Sequence, residues 1–337
     1  MRILVTGAAG FIGAALSKQL LKVGENVYGI DNLNSYYSQK LKSDRIKNIE
    51  NDISALEKWN FEKCDLTDDI HLNEIFMKFS PDVVVNLAAQ AGVRYSIKEP
   101  TAYISSNIVG FNNILEKCVK FKVRNLIYAS SSSVYGINKK ESFKEDHPVN
   151  HPISLYAATK RSNELIAHTY SHIFGLPSTG LRFFTVYGPW GRPDMAPMIF
   201  TKAILEKQPL DIYNFGKMQR DFTFINDITE AIIRCCYKPA SIDEDFDFNI
   251  PNASTSFAPH RIFNVGNSNP VKLLDFVETL ENELGIKAKL NLKSIQKGDV
   301  TSTISDTKKL KEWINFKPQT SLKQGINKFI NWYKGYY

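Results

Sequence analysis

The chain has 337 residues, 43% of them hydrophobic and 23% charged, with a formal net charge of +7. That length buries a proper core in one large domain or two modest ones, and no apolar run approaches the about 18 residues needed to cross a bilayer. The basic excess is spread out, with no dense stripe and no aromatic–basic interleaving, so it reads as a solvated surface with a mild attraction for anions; no nucleic-acid partner is expected.

In chain order, short β-branched runs alternate with helical patterns. RILVT (2–6) is followed by FIGAALSKQLLKVG (11–24) and NVYGID (26–31). DVVVNLAA (82–89), a helix over about 101–120, NLIYASS (125–131), a helix over about 156–174 and STGLRFF (178–184) follow. Unbroken apolar strands between helices indicate a parallel sheet covered on both faces, a doubly wound α/β layout of the Rossmann kind. After about residue 188 the texture changes to short segments rich in proline and aromatics. A polar stretch, SIDEDFDFNIPNASTSFAPH (241–260), reads as an exposed loop, and helices at about 272–284 and 321–333 close the chain. The expectation is a nucleotide-binding domain over 1–187, to which later segments return. A smaller mixed α/β substrate domain, mainly 188–337, would lie over the sheet's carboxyl edge.

Met1–Thr6 runs as a strand straight into a glycine turn and lacks the apolar stretch and cleavage site of a signal peptide. Cys64, Cys118 and the adjacent Cys235 and Cys236 have no metal or redox spacing. They read as reduced core thiols in a cytoplasmic protein, and no metal site is expected.

Gly7, Gly10 and Gly13 follow the first strand and open a helix. Glycines there allow a tight turn and let a pyrophosphate approach the backbone at a helix N-terminus whose N–H groups are free. Any tight strand–helix turn favours glycine, so the context carries weight. Asp31 ends the next strand, 18 residues after Gly13, where a carboxylate accepts both hydroxyls of a ribose and repels a 2′-phosphate. This pattern favours NAD over NADP; a strand-end turn residue is the other reading of Asp31.

Tyr156 and Lys160 stand at i and i+4 on one helix face. A free tyrosine has a pKa near about 10, and a neighbouring ammonium favours the phenolate, which makes Tyr156 a usable general base. The same spacing occurs on ordinary solvated helices; the glycine turn, Asp31 and a serine-tipped strand upstream give it meaning.

The Gly-x-x-Gly-x-x-Gly turn, with Tyr156-x-x-x-Lys160 downstream, resembles the extended short-chain dehydrogenase/reductase family. The resemblance implies that the turn, including Phe11 and Ile12, holds the NAD pyrophosphate, with Asp31 and Asn32 at the adenosine ribose. Asp65 and Leu66 would flank the adenine, although a solvated loop carboxylate satisfies the same pattern at 65. Leu87, Ala88, Ala89 and Gln90 would lie beneath ribose and nicotinamide, with Lys160 also holding that ribose. Ser131, 25 residues before Tyr156, would hydrogen-bond the reacting hydroxyl. Ser130 would pack, and Ser132 and Ser133 would line the sugar.

Sugar-nucleotide dehydratases of this family carry Thr-Asp-Glu where this chain has Ser131-Ser132-Ser133, and decarboxylating xylose synthases carry a glutamate at the third place. Without those acids elimination lacks its general acid, and oxidation at C4 is only reversed, which is epimerisation. The stretches 31–37, 90–94, 184–189, 192–197 and 220–222, and Gly298-Asp299-Val300, resemble the UDP-glucuronate 4-epimerases. That likeness implies a UDP-sugar substrate. Arg220 would grip the diphosphate and Asp299 the uridine ribose. Thr185 and Arg192 would face the sugar, with Arg192 available to a C6 carboxylate. Ile212 and Tyr213, on a short strand, would border the uracil. UDP-galactose epimerases carry asparagine at Thr185 and an arginine at Gln296, so one diphosphate contact is expected from elsewhere, with Arg94 the candidate. UDP-N-acetylglucosamine, or its uronic acid, is the alternative substrate, and a non-catalytic dinucleotide sensor the alternative class. The family also implies a homodimer packed through the helices at 101–120 and 156–174.

Overall fold

A computed structural model describes residues 1–52, 57–139, 142–295 and 301–337. Twelve strands form within them: β1 (Arg2–Thr6), β2 (Asn26–Asp31), β3 (Trp59–Lys63), β4 (Val83–Asn86), β5 (Asn125–Ser131), β6 (Ser178–Phe183), β7 (Thr185–Tyr187), β8 (Pro209–Ile212), β9 (Gln219–Phe224), β10 (His260–Val265), β11 (Pro270–Lys272) and β12 (Lys289–Leu292). The α-helices are α1 (Phe11–Lys22), α2 (Gln39–Glu50), α3 (Asp69–Phe79), α4 (Tyr95–Lys98), α5 (Pro100–Tyr103), α6 (Gly110–Lys120), α7 (Leu155–Phe174), α8 (Ala196–Leu205), α9 (Ile225–Tyr237), α10 (Leu273–Leu284), α11 (Lys308–Ile314) and α12 (Leu322–Tyr336).

Seven strands make one all-parallel sheet in the order β10-β6-β5-β4-β1-β2-β3. The order reverses between β1 and β4, and ligands of such sheets bind in the crevice that this reversal opens at the strands' carboxyl ends. Both strands end on polar side chains that bond each other: Thr6 Oγ1 donates to Asn86 Oδ1 at 2.7 Å, and Ala88 N donates to Thr6 Oγ1 at 3.1 Å. All four residues of β4 are buried, as are Ile3 to Thr6 of β1, which is why these strands read as continuous apolar runs.

Two small sheets, β11-β9-β7 and β12-β8, complete the molecule. One core joins them to the large sheet: Val5, Phe183, Phe222, Phe276 and Phe329 belong to a single buried cluster, in which the Phe222 and Phe276 rings stack at 4.3 Å. α9 packs on α1. The return of the chain to the large sheet is made by β10, which pairs with β6 directly after the polar loop.

The helix expected at 101–120 is α5 and α6 joined through a π-helical segment, Ile104–Val109. The helix expected at 156–174 is α7, capped by the Ser154 side chain, which accepts from Ala157 N, and ended by Gly175 at φ +66°. Among the described residues no helix is long and apolar enough to cross a membrane, and no His/Cys/Asp/Glu cluster has the makings of a metal site. All four cysteines are free and buried.

Candidate active site

The glycine turn is close-packed against backbone. Gly7 has φ +68°, and a Cβ there would lie 2.7 Å from Ala88 N; a Cβ on Gly13 would lie 2.1 Å from Gly7 O. α1 therefore starts tightly against β1 and β4. Its N-terminus carries no side-chain cap and no acid in the first turn, so its amides face the cavity unopposed. Gly7, Gly10, Phe11, Ile12 and Gly13 border a cavity of about 500 Å³ along the carboxyl edge of the sheet. This is a cradle that fits a dinucleotide pyrophosphate.

Asp31 stands beside the turn, accepting from Ala9 N at 3.2 Å and Leu33 N at 2.8 Å; burial raises its pKa against those bonds. Asn32 Nδ2 donates to Asp65 Oδ2 at 2.8 Å, and Thr67 donates to Oδ1 through both its amide and its hydroxyl. Burial raises the Asp65 carboxyl, and these hydrogen bonds outweigh it and hold it below its ordinary value. Asp65 is thus part of a built loop pair. Asp31, Asn32, Asp65, Leu66 and Leu87 to Gln90 all border the cavity.

Ser131, Tyr156 and Lys160 border the same cavity. Ser131 ends β5 beside the Tyr156 phenol; its Oγ donates to Ser133 Oγ at 3.2 Å and accepts from Ser133 N at 3.2 Å. Lys160 is buried, and its Nζ donates to Ala129 O at 2.8 Å. All four serines border the cavity, and Ser130 also donates to Glu164 at 2.6 Å.

One expectation is corrected here. Burial raises the Tyr156 pKa above its ordinary value; the nearby Ser131 hydroxyl and the charge of Arg192 pull it down and do not win. The Lys160 ammonium donates to the strand carbonyl of Ala129, and burial lowers its own pKa to about 8. A desolvated phenol needs a further positive charge to ionise at neutral pH.

At the substrate end Thr185, Arg192 and Arg220 border the cavity, and Arg220 Nη1 donates to Gln219 O at 2.9 Å. Arg94, Ile212 and Tyr213 do not. Ile212 is fully buried in the core at the end of β8. Tyr213 lies past the strand, in a 3-10 turn, under the exposed Arg94 guanidinium at 5.5 Å. The expectation of both residues on one strand is corrected: β8 ends at Ile212 and Tyr213 opens the turn that follows. Asp299 and Gln296, like Gly298 and Val300, lie outside the described residues.

Residues 3–251 match the description "NAD dependent epimerase/dehydratase family". The chain belongs to that family. Among its relatives, protein CapI of Staphylococcus aureus is 53% identical over 337 residues, covering 100% of this chain and 99% of that protein. The probable UDP-glucuronate 4-epimerase of Rhizobium meliloti is 42% identical over 339 residues, covering 99% and 97%. The crystal structure of UDP-glucuronic acid 4-epimerase from Bacillus cereus, in complex with UDP-glucuronic acid and NAD, matches with a TM-score of 0.87 at 33% identity over the whole of both chains.

This epimerase/dehydratase-family site has members that sequence reasoning missed. Asn107, within the π segment, accepts from Gln90 N at 2.8 Å and donates to Gln90 O at 3.1 Å and Thr159 Oγ1 at 3.0 Å, tying the loop after β4 to α7. A π turn widens the helix and sits frequently at functional sites. The available signal was the polar Ser105-Ser106-Asn107 triplet between Ile104 and Ile108 in a helical run. Arg45 was also missed. Fully buried on α2, it donates to Ala9 O in the glycine turn at 3.0 Å and to Trp190 O and Gly191 O at 2.7 and 3.2 Å.

Proposed function

We propose that this protein is a UDP-glucuronate 4-epimerase that interconverts UDP-glucuronate and UDP-galacturonate with bound NAD. The observation that carries the reading is the wall formed by Ser131 and Tyr156 with hydroxyls, and no carboxylic acid, at Ser132 and Ser133. That wall has a base for an alcohol and no acid for an elimination. The cofactor residues are Gly7 to Gly13, Asp31, Asn32, Asp65, Leu66 and Leu87 to Gln90. NAD, when bound, supplies the acceptor that takes the C4 hydride and gives it back, and its positive ring adds the charge that Tyr156 lacks.

Tyr156 takes the C4-hydroxyl proton, with Ser131 relaying it, and the C4 carbon becomes a ketone. Arg220 holds the diphosphate in a charged fork while the sugar turns about it to present its other face. Tyr156 then returns the proton. Thr185, Ser132 and Ser133 face the sugar hydroxyls, Arg192 the C6 carboxylate, and Asp299 the uridine ribose. Residues 188–337 contribute most of the sugar-nucleotide half and 1–187 the cofactor half. We also propose a cytoplasmic homodimer through the helices at 101–120 and 156–174: Ile104 and Val109 in the π segment, and Leu165, Ile173 and Phe174 on α7, expose apolar side chains.

The test is turnover of purified protein on UDP-glucuronate, UDP-N-acetylglucosamine, its uronic acid and UDP-glucose. UDP-glucuronate is expected to turn over fastest. An inert UDP-glucuronate beside an active N-acetyl sugar overturns the substrate, and inertness towards all four, with NAD bound, overturns catalysis.

A further inference from the structure

Arg192 borders the cavity close to Tyr156, and its direction is set from behind. Its Nε donates to Oδ1 of Asp194 at 3.1 Å and its Nη2 to Oδ2 at 2.5 Å, a bidentate fork that uses two of the five guanidinium N–H donors. Oδ2 of Asp194 also accepts the Tyr36 hydroxyl at 2.9 Å. Tyr36 belongs to the loop that follows β2 and begins with Asn32; its amide donates to Asn34 Oδ1 at 3.2 Å, and its ring packs on Tyr95 at 4.7 Å. Gly92 leaves room for it, since a Cβ there would lie 2.4 Å from the Tyr36 oxygen. Arg192 and Tyr36 border the cavity, and Asp194 does not.

We propose that Asp194, anchored by Tyr36, is a positioning residue that aims Arg192 at the sugar carboxylate and offsets part of the positive charge Arg192 directs at Tyr156. This rests on the UDP-glucuronate reading above. The groups facing Tyr156 are Ser131 from β5, Tyr103 from α5 with its ring edge-on at 6.2 Å, Arg192, and Lys160 one turn along its own helix. Those facing Arg192 are Asp194, Tyr36 and Tyr156. Burial raises the Asp194 carboxyl, and Arg192 outweighs this and holds it below its ordinary value, so the residue is an anion at working pH. Removing that anion leaves Arg192 less compensated, which favours the Tyr156 phenolate and lets the base form at lower pH.

The test compares wild-type holoenzyme with Asp194→Asn and Tyr36→Phe, using UDP-glucuronate as substrate and UDP, which has no sugar, as competitive inhibitor. For Asp194→Asn, KM is expected to rise about tenfold through misdirection of Arg192, with the UDP inhibition constant within about twofold of wild type. The acid limb of its kcat/KM profile moves to lower pH. Tyr36→Phe keeps both charges; its KM rises by about threefold, the loss of one hydrogen bond, and its acid limb stays in place. An unchanged KM in Asp194→Asn, a UDP constant that rises in step with KM, or an acid limb that stays or moves upward overturns the proposal. A wild-type enzyme inert on UDP-glucuronate and active on a neutral UDP-sugar overturns the substrate reading instead. The direction of the Asp194→Asn acid limb on that sugar then decides the charge-offset role separately.

Discussion

The hydroxyl of Ser130 donates to Oε1 of Glu164 at 2.6 Å, across the contact between β5 and α7. Ser131 is next on the strand and Tyr156 lies about two turns back on the helix, so this buried bond sets the pair that meets at the cavity. Glu164 is held in turn by Arg182, through Nε at 2.8 Å and Nη2 at 2.9 Å, with both side chains fully buried, and by Arg161 Nη1 at 2.9 Å.

Glu164→Gln leaves Arg182 buried without its counter-ion and is expected to cost about 3–5 kcal/mol in denaturant unfolding. Burial opposes the Glu164 carboxylate, but Arg182 and Ser130 outweigh it and hold its pKa at about 2. A carboxyl depressed in the folded state contributes stability above its unfolded pKa of about 4.3 and loses it as pH falls through the folded value. Between about pH 4 and pH 2 the wild-type stability should therefore fall more steeply than that of the variant, by up to about 1.4 kcal/mol per pH unit. Parallel curves would refute this.

Tyr156→Phe removes the proton carrier and keeps the ring. Epimerisation should fall about 10²- to 10⁴-fold, the usual range for a lost general base, while UDP inhibits as in wild type. Retained turnover would remove Tyr156 from the chemistry.

Ser131→Ala removes the hydroxyl that pulls the Tyr156 pKa down. Burial is then less opposed, the pKa rises, and the acid limb of kcat/KM moves to higher pH, opposite to the shift expected for Asp194→Asn. At neutral pH the rate should drop about 10- to 100-fold from the lost relay and the less available base. Titration of kcat/KM between pH 6 and 10 checks the sign.

Gly13→Ala places a methyl 2.1 Å from the Gly7 carbonyl oxygen, a contact that backbone alone must relieve. α1 has to move off β1, which should cost about 1–3 kcal/mol and empty the protein of dinucleotide. Native mass spectra of the purified variant and wild type would show the difference directly.

Several elements could be read along the chain because they obey local rules. β1, β2 and β5 match their predicted ranges, and α7 begins one residue earlier than predicted, because a parallel sheet buries both faces and leaves unbroken apolar runs between capped helices. β10 was not predicted: its partner β6 lies some eighty residues upstream, and the intervening polar loop gives no sign of a strand about to enter a sheet. Strand alternation does not say which face of β8 meets the core; packing places Ile212 in it. Asn107 and Arg45 were passed over because their partners, Gln90 and the carbonyls of Ala9 and Trp190, are remote in sequence.

Sequence alone determined the glycine turn, the tyrosine–lysine helix and the row of serines without an acid, since each is a matter of residue type at short spacing. The tertiary structure decided which charge acts on Tyr156, which arginine is held and by what, and which side chains reach the cavity. Those outcomes depend on burial and on distances between loops far apart in the chain, and electrostatic interactions and desolvation are set by position in space.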